Sequence, residues 1–377
     1  MLPMLLSAQS LKRIMENGNS GWRLSTANPE NYGPIGYEAI DFSHNNESSN
    51  TKGATGGTST AMGYGTTADG AFSTALGNQT FASGSASTAM GEGTTASGDG
   101  STAMGVSTIA SGIDATSFGR FTSASGNLST AMGSETTASG SVSTSMGYLT
   151  TASGFVSTAM GIGTTASGMW STTMGEFTTA SGWVSTSMGN GTTASDRASL
   201  TIGQYNSVNS VVTSKGSDTI FRPTNAAFVI GNGTEDVRSD AFVVYFNGNA
   251  TLAGELTVNS DARLKDNIQP LGSTLDKLHQ IEGKTYTLLK DEENTLKIGV
   301  LAQEVQSVFP ELVSEGADGT LSVNYQGLVP VLINAINEQE AKMSEQEAKI
   351  EALQAQNAEI KEMLRALTLQ QTFAAND

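Results

Sequence analysis

The chain contains no cysteine. Disulfide staples and thiolate metal sites are therefore excluded, and stability must come from burial and hydrogen bonding. Charge is sparse, at 15% of 377 residues, and aromatics make up only 6%. With 43 glycines as well, such a chain cannot fold around one ordinary globular core. Glycine does not recur at every third residue, so a collagen helix is excluded too. Positive charge is the scarcer sign: 19 Lys and Arg stand against 36 Asp and Glu, a net charge of −17. That balance argues against nucleic acid as a partner. No stretch approaches the roughly 20 apolar residues of a membrane-crossing helix, so no integral membrane span is expected. Met1 to Gln9 (MLPMLLSAQ) reads either as the tail of a secretory signal or as an ordinary apolar start.

What is present is a repeat. From Gly57 to Asp196 the sequence runs through ten copies of 14 residues. Met62, Met90, Met104, Met132, Met146, Met160, Met174 and Met188 mark the phase, with Leu76 and Phe118 in the remaining slots. The consensus is x-x-Ser-Thr-Ala-Met-Gly-x-x-Thr-Thr-Ala-Ser-Gly. Two fixed glycines per copy and a Ser/Thr majority exclude helix. A strict short period means stacked coils, a β-solenoid, with two short strands and two turns per coil. Gly63, Gly70 and their successors fall where positive φ or close backbone approach is needed. Alternation puts Thr60 and Met62 on one face and Ser59 and Ala61 on the other. In the second run Thr66 and Ala68 oppose Thr67 and Asp69. Met is the only reliably large apolar position, so it is expected to face the core, and three solenoids side by side would enlarge that core. The Met stripe implies no cofactor box. Ten coils at about 4.8 Å each give a rod of roughly 48 Å.

Residues 1–56, with Trp22, Tyr32, Tyr37 and Phe42 scattered among polar residues, read as a short irregular cap or a small attachment module. His44, beside Asn45 and Asn46, reads as merely solvated. Tyr64, Glu92, Tyr148, Phe155, Met169, Trp170, Phe177 and Trp183 vary at the turns and suit either ligand contact or packing between subunits. The repeat block shows no clustered acid pair and no calcium-binding glycine–aspartate repeat, so no metal or cofactor is expected there. Its Thr columns raise an ice-binding face as a distant alternative. Residues 197–259 break the period and read as a β-rich neck. Strand-like runs lie at 227–231, 241–246 and Thr251 to Val258, with turns at Asn232-Gly233 and Asn247-Gly248.

Beyond the neck the composition changes. Ser260-Asp261-Ala262-Arg263-Leu264-Lys265 holds a Ser and a Lys five residues apart. If the chain turns back between them, a desolvated Lys can take the Ser proton as Oγ attacks a carbonyl. The plainer alternative is a helix N-cap, with Ser260 on the free N–H groups and Asp261 favoured by the dipole. Further on, Gly272 to Ile281 reads as an amphipathic helix capped by Ser273 or Thr274. Thr285–Leu288 and Lys297–Val300 read as a hairpin, and Ala302 to Val308 as a helix ended by Pro310. His279 and Glu304 are expected to be structural, and Gly299 is a weak candidate for offering its N–H to an oxyanion. From Val329 a heptad pattern runs to the end. Val329, Ile336, Met343, Ile350, Asn357 and Leu364 form one seam position. Leu332, Gln339, Gln346, Leu353, Ile360 and Leu367 form the other. A helix this polar is marginal alone, so self-association is implied.

Two stretches resemble known families. Ser260–Ile268 (SDARLKDNI), Gly299–Val305 with Phe309–Val313, and Val323–Leu332, in that order, resemble the endosialidase-type intramolecular chaperone domain of phage tail spikes and fibres. The resemblance implies trimerisation and self-cleavage just before the motif Ser. By position it gives Ser260 as nucleophile, Lys265 as base and Asn259–Ser260 as the scissile bond. The 14-residue copies resemble the head repeats of YadA-type trimeric adhesins, which implies a left-handed trimeric β-roll. Here Thr and Met stand where that family has Val and Ile. The expectation is then mainly β: a β-roll, a β-rich neck, and an α+β domain at 260–377 ending in a coiled coil. The implied protein is a homotrimer, a tail-fibre or secreted surface adhesin for an unidentified glycan or protein receptor. Its enzymatic activity would be a single self-cleavage without cofactor, the alternative being an adhesin that never cleaves.

Overall fold

A computed structural model describes residues 10–208, 219–289 and 294–374. The apolar start read at Met1 to Gln9 lies outside the described residues. The chain divides into two compact units, Met1–Thr257 and Val258–Asp377, each described by itself.

The first unit is a β-solenoid of about 13 turns. Long strands such as Thr60–Tyr64, Thr74–Asn78 and Thr88–Glu92 pair in parallel, each with its successor one repeat on. They belong to a 17-stranded sheet. Two-residue strands such as Thr67–Ala68 and Phe81–Ala82 form a second sheet of 11. Every repeat position stacks on itself: Met132 on Met146, Gly133 on Gly147. Gly105 shows why the glycine is fixed. Its φ is +127, and a Cβ there would strike the carbonyl oxygen of Gly119 in the next coil.

The alternation was legible, but the assignment of the core was not. Inside the coil lie Ser59, Ala61, Thr66, Ala68 and their successors, nearly all fully buried. Met62, Met146 and Met174 point outward and are about 40% exposed. A coil of two short strands closed by tight turns leaves an interior only as wide as an Ala methyl or a small hydroxyl. Where the inner Ala becomes Ser, the hydroxyl finds a partner across the coil. Ser117 meets Thr122 at 2.7 Å, and Ser145 meets Thr150 and Ser187 meets Thr192 at 2.8 Å. Met thus forms an outer stripe, which fits it for contact between chains and not for the coil's own core.

The stack also runs past both ends of the period. Ile40–His44 pairs in parallel with Thr60–Tyr64, with Phe42 opposite Met62, and Gly53–Ala54 starts the short-strand sheet. A longer loop at 45–52 hides this coil from a 14-residue count. Before it, Leu11–Glu16 and Asn19–Leu24 form an antiparallel hairpin that joins the sheet through Trp22 and Arg23. The start is therefore regular and not the irregular cap expected. Buried Arg23 ties it down, bonding Asp41 at 3.2 Å, Glu16 at 3.0 Å and the Gly33 carbonyl at 2.9 Å. His44 is exposed, with its ring 6.3 Å from that of Tyr64.

At the other end, Leu200–Gln204 continues the solenoid and Ala226–Asn232 stacks on it in parallel, so the period does not break at 197. Asp196 replaces the glycine of the consensus. Its carboxylate accepts the Ala226 N–H at 2.9 Å, and burial pushes its pKa up. Asp240–Tyr245 and Ala250–Leu252 follow as antiparallel strands. Of the strand expected over Thr251 to Val258, Thr251 and Leu252 pair and Ala253 donates its N–H to the Ala241 carbonyl at 3.0 Å, while residues 254–258 are exposed. Along one turn edge Phe155, Trp170 and Trp183 stack edge to face, 6.1 and 6.5 Å apart.

The second unit holds two small antiparallel hairpins, Lys284–Tyr286 with Lys297–Gly299 and Val313–Glu315 with Leu321–Val323. Its helices are α1 (Leu275–Leu278), α2 (Ala302–Val308) and α3 (Leu328–Ala374). Val305, Phe309 and Val331 form the core, with Leu278, Ile281, Val300 and Val323 against it. Helix α3 has 47 residues and so runs about 70 Å. Among the described residues no helix is long and apolar enough to cross a membrane.

Candidate functional site: the Ser260–Lys265 turn

The second unit opens with a stretch, residues 258–273, in which every residue is exposed. An extended chain would hold Lys265 about 16 Å from Ser260. A single 3-10 turn over Ala262–Leu264 folds it back. The Leu264 N–H donates to the Asp261 carbonyl, and the Lys265 N–H to the Ala262 carbonyl, both at 3.1 Å. Lys265 Nζ then lies 2.7 Å from Ser260 Oγ, donating to it. The two residues the sequence singled out are in direct contact.

The cap alternative is resolved residue by residue. The N-cap of this turn is Asp261, not Ser260: Asp261 Oδ1 accepts the Arg263 N–H at 2.9 Å. The Arg263 side chain closes back on the same carboxylate, Nη2 to Oδ2 at 2.7 Å and Nε to Oδ1 at 3.1 Å. These bonds hold the Asp261 carboxyl below the usual carboxylate range, the Arg263 side chain contributing more than its N–H. With Asp261 on the free amide, the Ser260 hydroxyl is left to Lys265. Neither Ser260 nor Lys265 is desolvated within the single chain.

The other candidates lie elsewhere. Glu304 accepts the Glu282 N–H at 3.0 Å and pairs with Lys284 at 3.4 Å, a structural role. His279 is the exposed C-cap of α1. Gly299 is a hairpin residue, and the Tyr325 hydroxyl occupies the place a Cβ would take. That hydroxyl accepts the Val300 N–H at 3.2 Å, so the glycine makes room for a tyrosine.

What caps α1 is not marked by any local spacing of residues. Neither Ser273 nor Thr274 caps it through its own oxygen. Glu338 of α3 does so, accepting the Thr274 N–H at 2.6 Å and the Ser273 hydroxyl at 2.9 Å. Asn334 braces it, donating to the Gly272 carbonyl at 2.6 Å and to Glu338 at 3.0 Å. A carboxylate 64 residues downstream leaves no local spacing to read. The Thr274 N–H above all holds the Glu338 carboxyl below its ordinary pKa.

This clamp also orients α3. Val331, Asn334, Ala335 and Glu338 lie on the side turned to the unit's own core. The heptad residues Val329, Leu332, Ile336, Met343, Ile350, Leu353, Ile360, Leu364 and Leu367 are each about half exposed. The helix therefore spends one face within its chain and leaves the seam uncovered.

Comparison with known proteins divides the chain in the same way. Residues 54–80, 82–108, 110–136 and 124–150 match the YadA head domain repeat. Residues 260–314 match the chaperone of endosialidase, a match that begins at Ser260. The long tail fiber protein Gp37 of Salmonella phage S16 is 29% identical over 169 residues, 42% of this chain and 22% of its own length. Gp37 of Enterobacteria phage T2 is 29% identical over 134 residues, 32% of this chain and 10% of its own. Gp37 of Escherichia phage AR1 is 37% identical over 97 residues, 24% of this chain and 9% of its own. The chain spans less than a quarter of the length of these relatives. The chain thus resembles phage long tail fiber proteins in part, its solenoid matching YadA head repeats and its second unit opening with a segment that matches the chaperone of endosialidase.

Proposed function

We propose that this chain is a homotrimeric tail-fibre adhesin whose second unit directs trimer folding and is then released by self-cleavage at Asn259–Ser260. The observation that carries the cleavage is the 2.7 Å contact between Lys265 Nζ and Ser260 Oγ. In the neutral state Lys265 takes the hydroxyl proton, and Oγ bonds to the Asn259 carbonyl carbon. The C–N bond to Ser260 breaks and the amine leaves with that proton. Water then hydrolyses the ester, leaving a carboxylate on Asn259 and a free amino group on Ser260. Residue 260 starts the matched chaperone segment, so cleavage would separate it from the solenoid.

The open seam of α3 supports the assembly role. A helix with this many half-exposed Leu, Ile and Met side chains is stable only when other copies cover them. Trimer is favoured over dimer by both resemblances, to the tail fibres and to the adhesin heads. The setting is a virion fibre that contacts a cell-surface glycan or protein. A secreted bacterial adhesin is the alternative owner. The exposure of Ser260 and Lys265 favours one further reading, the same trimer with its second unit retained.

Intact-mass analysis of the expressed full chain decides between these readings. Cleavage gives a fragment ending at Asn259 and one starting at Ser260, and neither Ser260→Ala nor Lys265→Ala produces them. A wild-type chain that stays whole, or fragments persisting in Ser260→Ala, rejects self-cleavage. Sedimentation giving a monomer rejects the assembly.

A further inference from the structure

We propose that Asp261 and Arg263 are positioning residues for self-cleavage: the Asp261 carboxylate, clasped by Arg263, closes the turn that sets Lys265 against Ser260. This rests on the self-cleavage reading above and goes beyond its two residues.

The first ground is geometric. The contact between Ser260 and Lys265 depends on one short turn, and every residue from 258 to 273 is exposed. Around Ser260 and Lys265 the chain is held by bonds within residues 260–267. Two of these are backbone bonds closing a single 3-10 turn, which is weak alone. Four others converge on Asp261. Its Oδ1 takes the Arg263 N–H, and the Arg263 side chain grips both carboxylate oxygens in a fork. An Asp at an N-cap is the residue type that fixes such a turn.

The second ground is charge. Lys265 must be neutral to act as a base, and an unpaired carboxylate beside it would favour its ammonium form. The charged groups on this turn are Asp261, Arg263, Lys265 and Asp266. Asp266 directs Oδ1 to the Asn267 N–H at 2.8 Å. Arg263 covers both oxygens of Asp261, so the capping charge is offset where it is needed.

The test is a pulse of synthesis of the full chain, chased at set pH, with fragment appearance followed in time. Asp261→Ala is expected to slow cleavage roughly 10- to 100-fold, the effect of loosening a reacting geometry. Asp261→Asn keeps an oxygen for the Arg263 N–H and is expected to stay within about fivefold of wild type. Arg263→Ala removes the fork on the carboxylate and is expected to slow cleavage severalfold, less than Asp261→Ala. Sedimentation of each variant shows whether assembly is unchanged.

Asp261→Ala cleaving at the wild-type rate overturns the positioning role. So does Asp261→Asn failing as badly as Ala, or a loss of assembly in both. In those cases Ser260→Ala remains inert and the self-cleavage reading stands. A wild-type chain that never cleaves overturns both.

Discussion

The two units handle their apolar surface in opposite ways. Each coil of the solenoid fills its own interior with Ala, Ser and Thr, and the inner columns are closed to solvent within a single chain. Helix α3 leaves Leu332, Ile336, Ile350 and Leu353 about half exposed. A full interior made of interchangeable coils holds a chain together but carries no address. In the proposed trimer any coil of one chain would fit beside any coil of another almost equally well, so a slip by one repeat would cost little. An uncovered seam interrupted by Gln339, Gln346 and Asn357 does carry one, because polar seam positions match only in one register. The unit poor in self-sufficiency is therefore the one suited to set alignment for the other.

The largest blow to this contrast is aimed at the solenoid. Gly105→Val places a branched side chain at φ +127 against the Gly119 carbonyl. It is expected to cost about 4 kcal/mol or more and to expose the repeats to protease, while α3 keeps its helical signal in circular dichroism. The converse variant is Ile336→Asp with Ile350→Asp. Sedimentation is expected to show loss of the native oligomer, with the inner Ala and Ser columns still complete in each chain.

A pH titration separates the units more gently, because two carboxylates respond with opposite sign. Glu338 is held below its ordinary pKa by the Thr274 N–H. Its contribution is present above the unfolded value, about 4.3, and is lost as pH falls through the folded value. Asp196 is pushed above its ordinary value by burial. Its ionised form is penalised, so acidification relieves that site and stability there falls as pH rises from the unfolded to the folded value. Hydrogen exchange between pH 7 and pH 3 is expected to speed at the Thr274 amide relative to the Ala226 amide. Glu338→Gln and Asp196→Asn should each flatten the trend at its own site.

The smallest expected effect is a gain. Val156 sits at φ +55 on a turn, where a β-branched residue is strained. Val156→Gly relieves that strain but adds chain entropy, for a net stabilisation of at most about 1 kcal/mol, read as a shift in thermal midpoint.

Much of this architecture was legible because repetition writes geometry directly into sequence. The Gly70 series marked a turn, as expected, whereas the Gly63 series lies inside the long strands at positive φ; the alternation gave both faces of each strand. What alternation cannot say is which face is inside. Size suggested Met, and the coil's narrow bore chose Ala. Phe42 and Ala54 were hidden in the first coil by one longer loop. At the candidate site, Ser260 and Lys265 stood out by spacing, and Asp261 was visible as an acidic cap neighbour. Its exchange of roles with Ser260 depends on one backbone turn and could not be counted off. Glu338 was out of reach altogether, since its partners are separated by most of the unit.

Parallel stacking of identical coils has one more consequence. Each coil touches only its two neighbours, and its entry and exit points repeat every 14 residues. Removing residues 127–140 would bring Gly126 to Ser141 with both ladders still aligned. The solenoid would shorten by about 4.8 Å, losing one coil and its Asn127 bond to the Ile113 N–H. Length in such a protein is a heritable dial, turned by duplication or loss of 42 nucleotides at a time, roughly one coil per event.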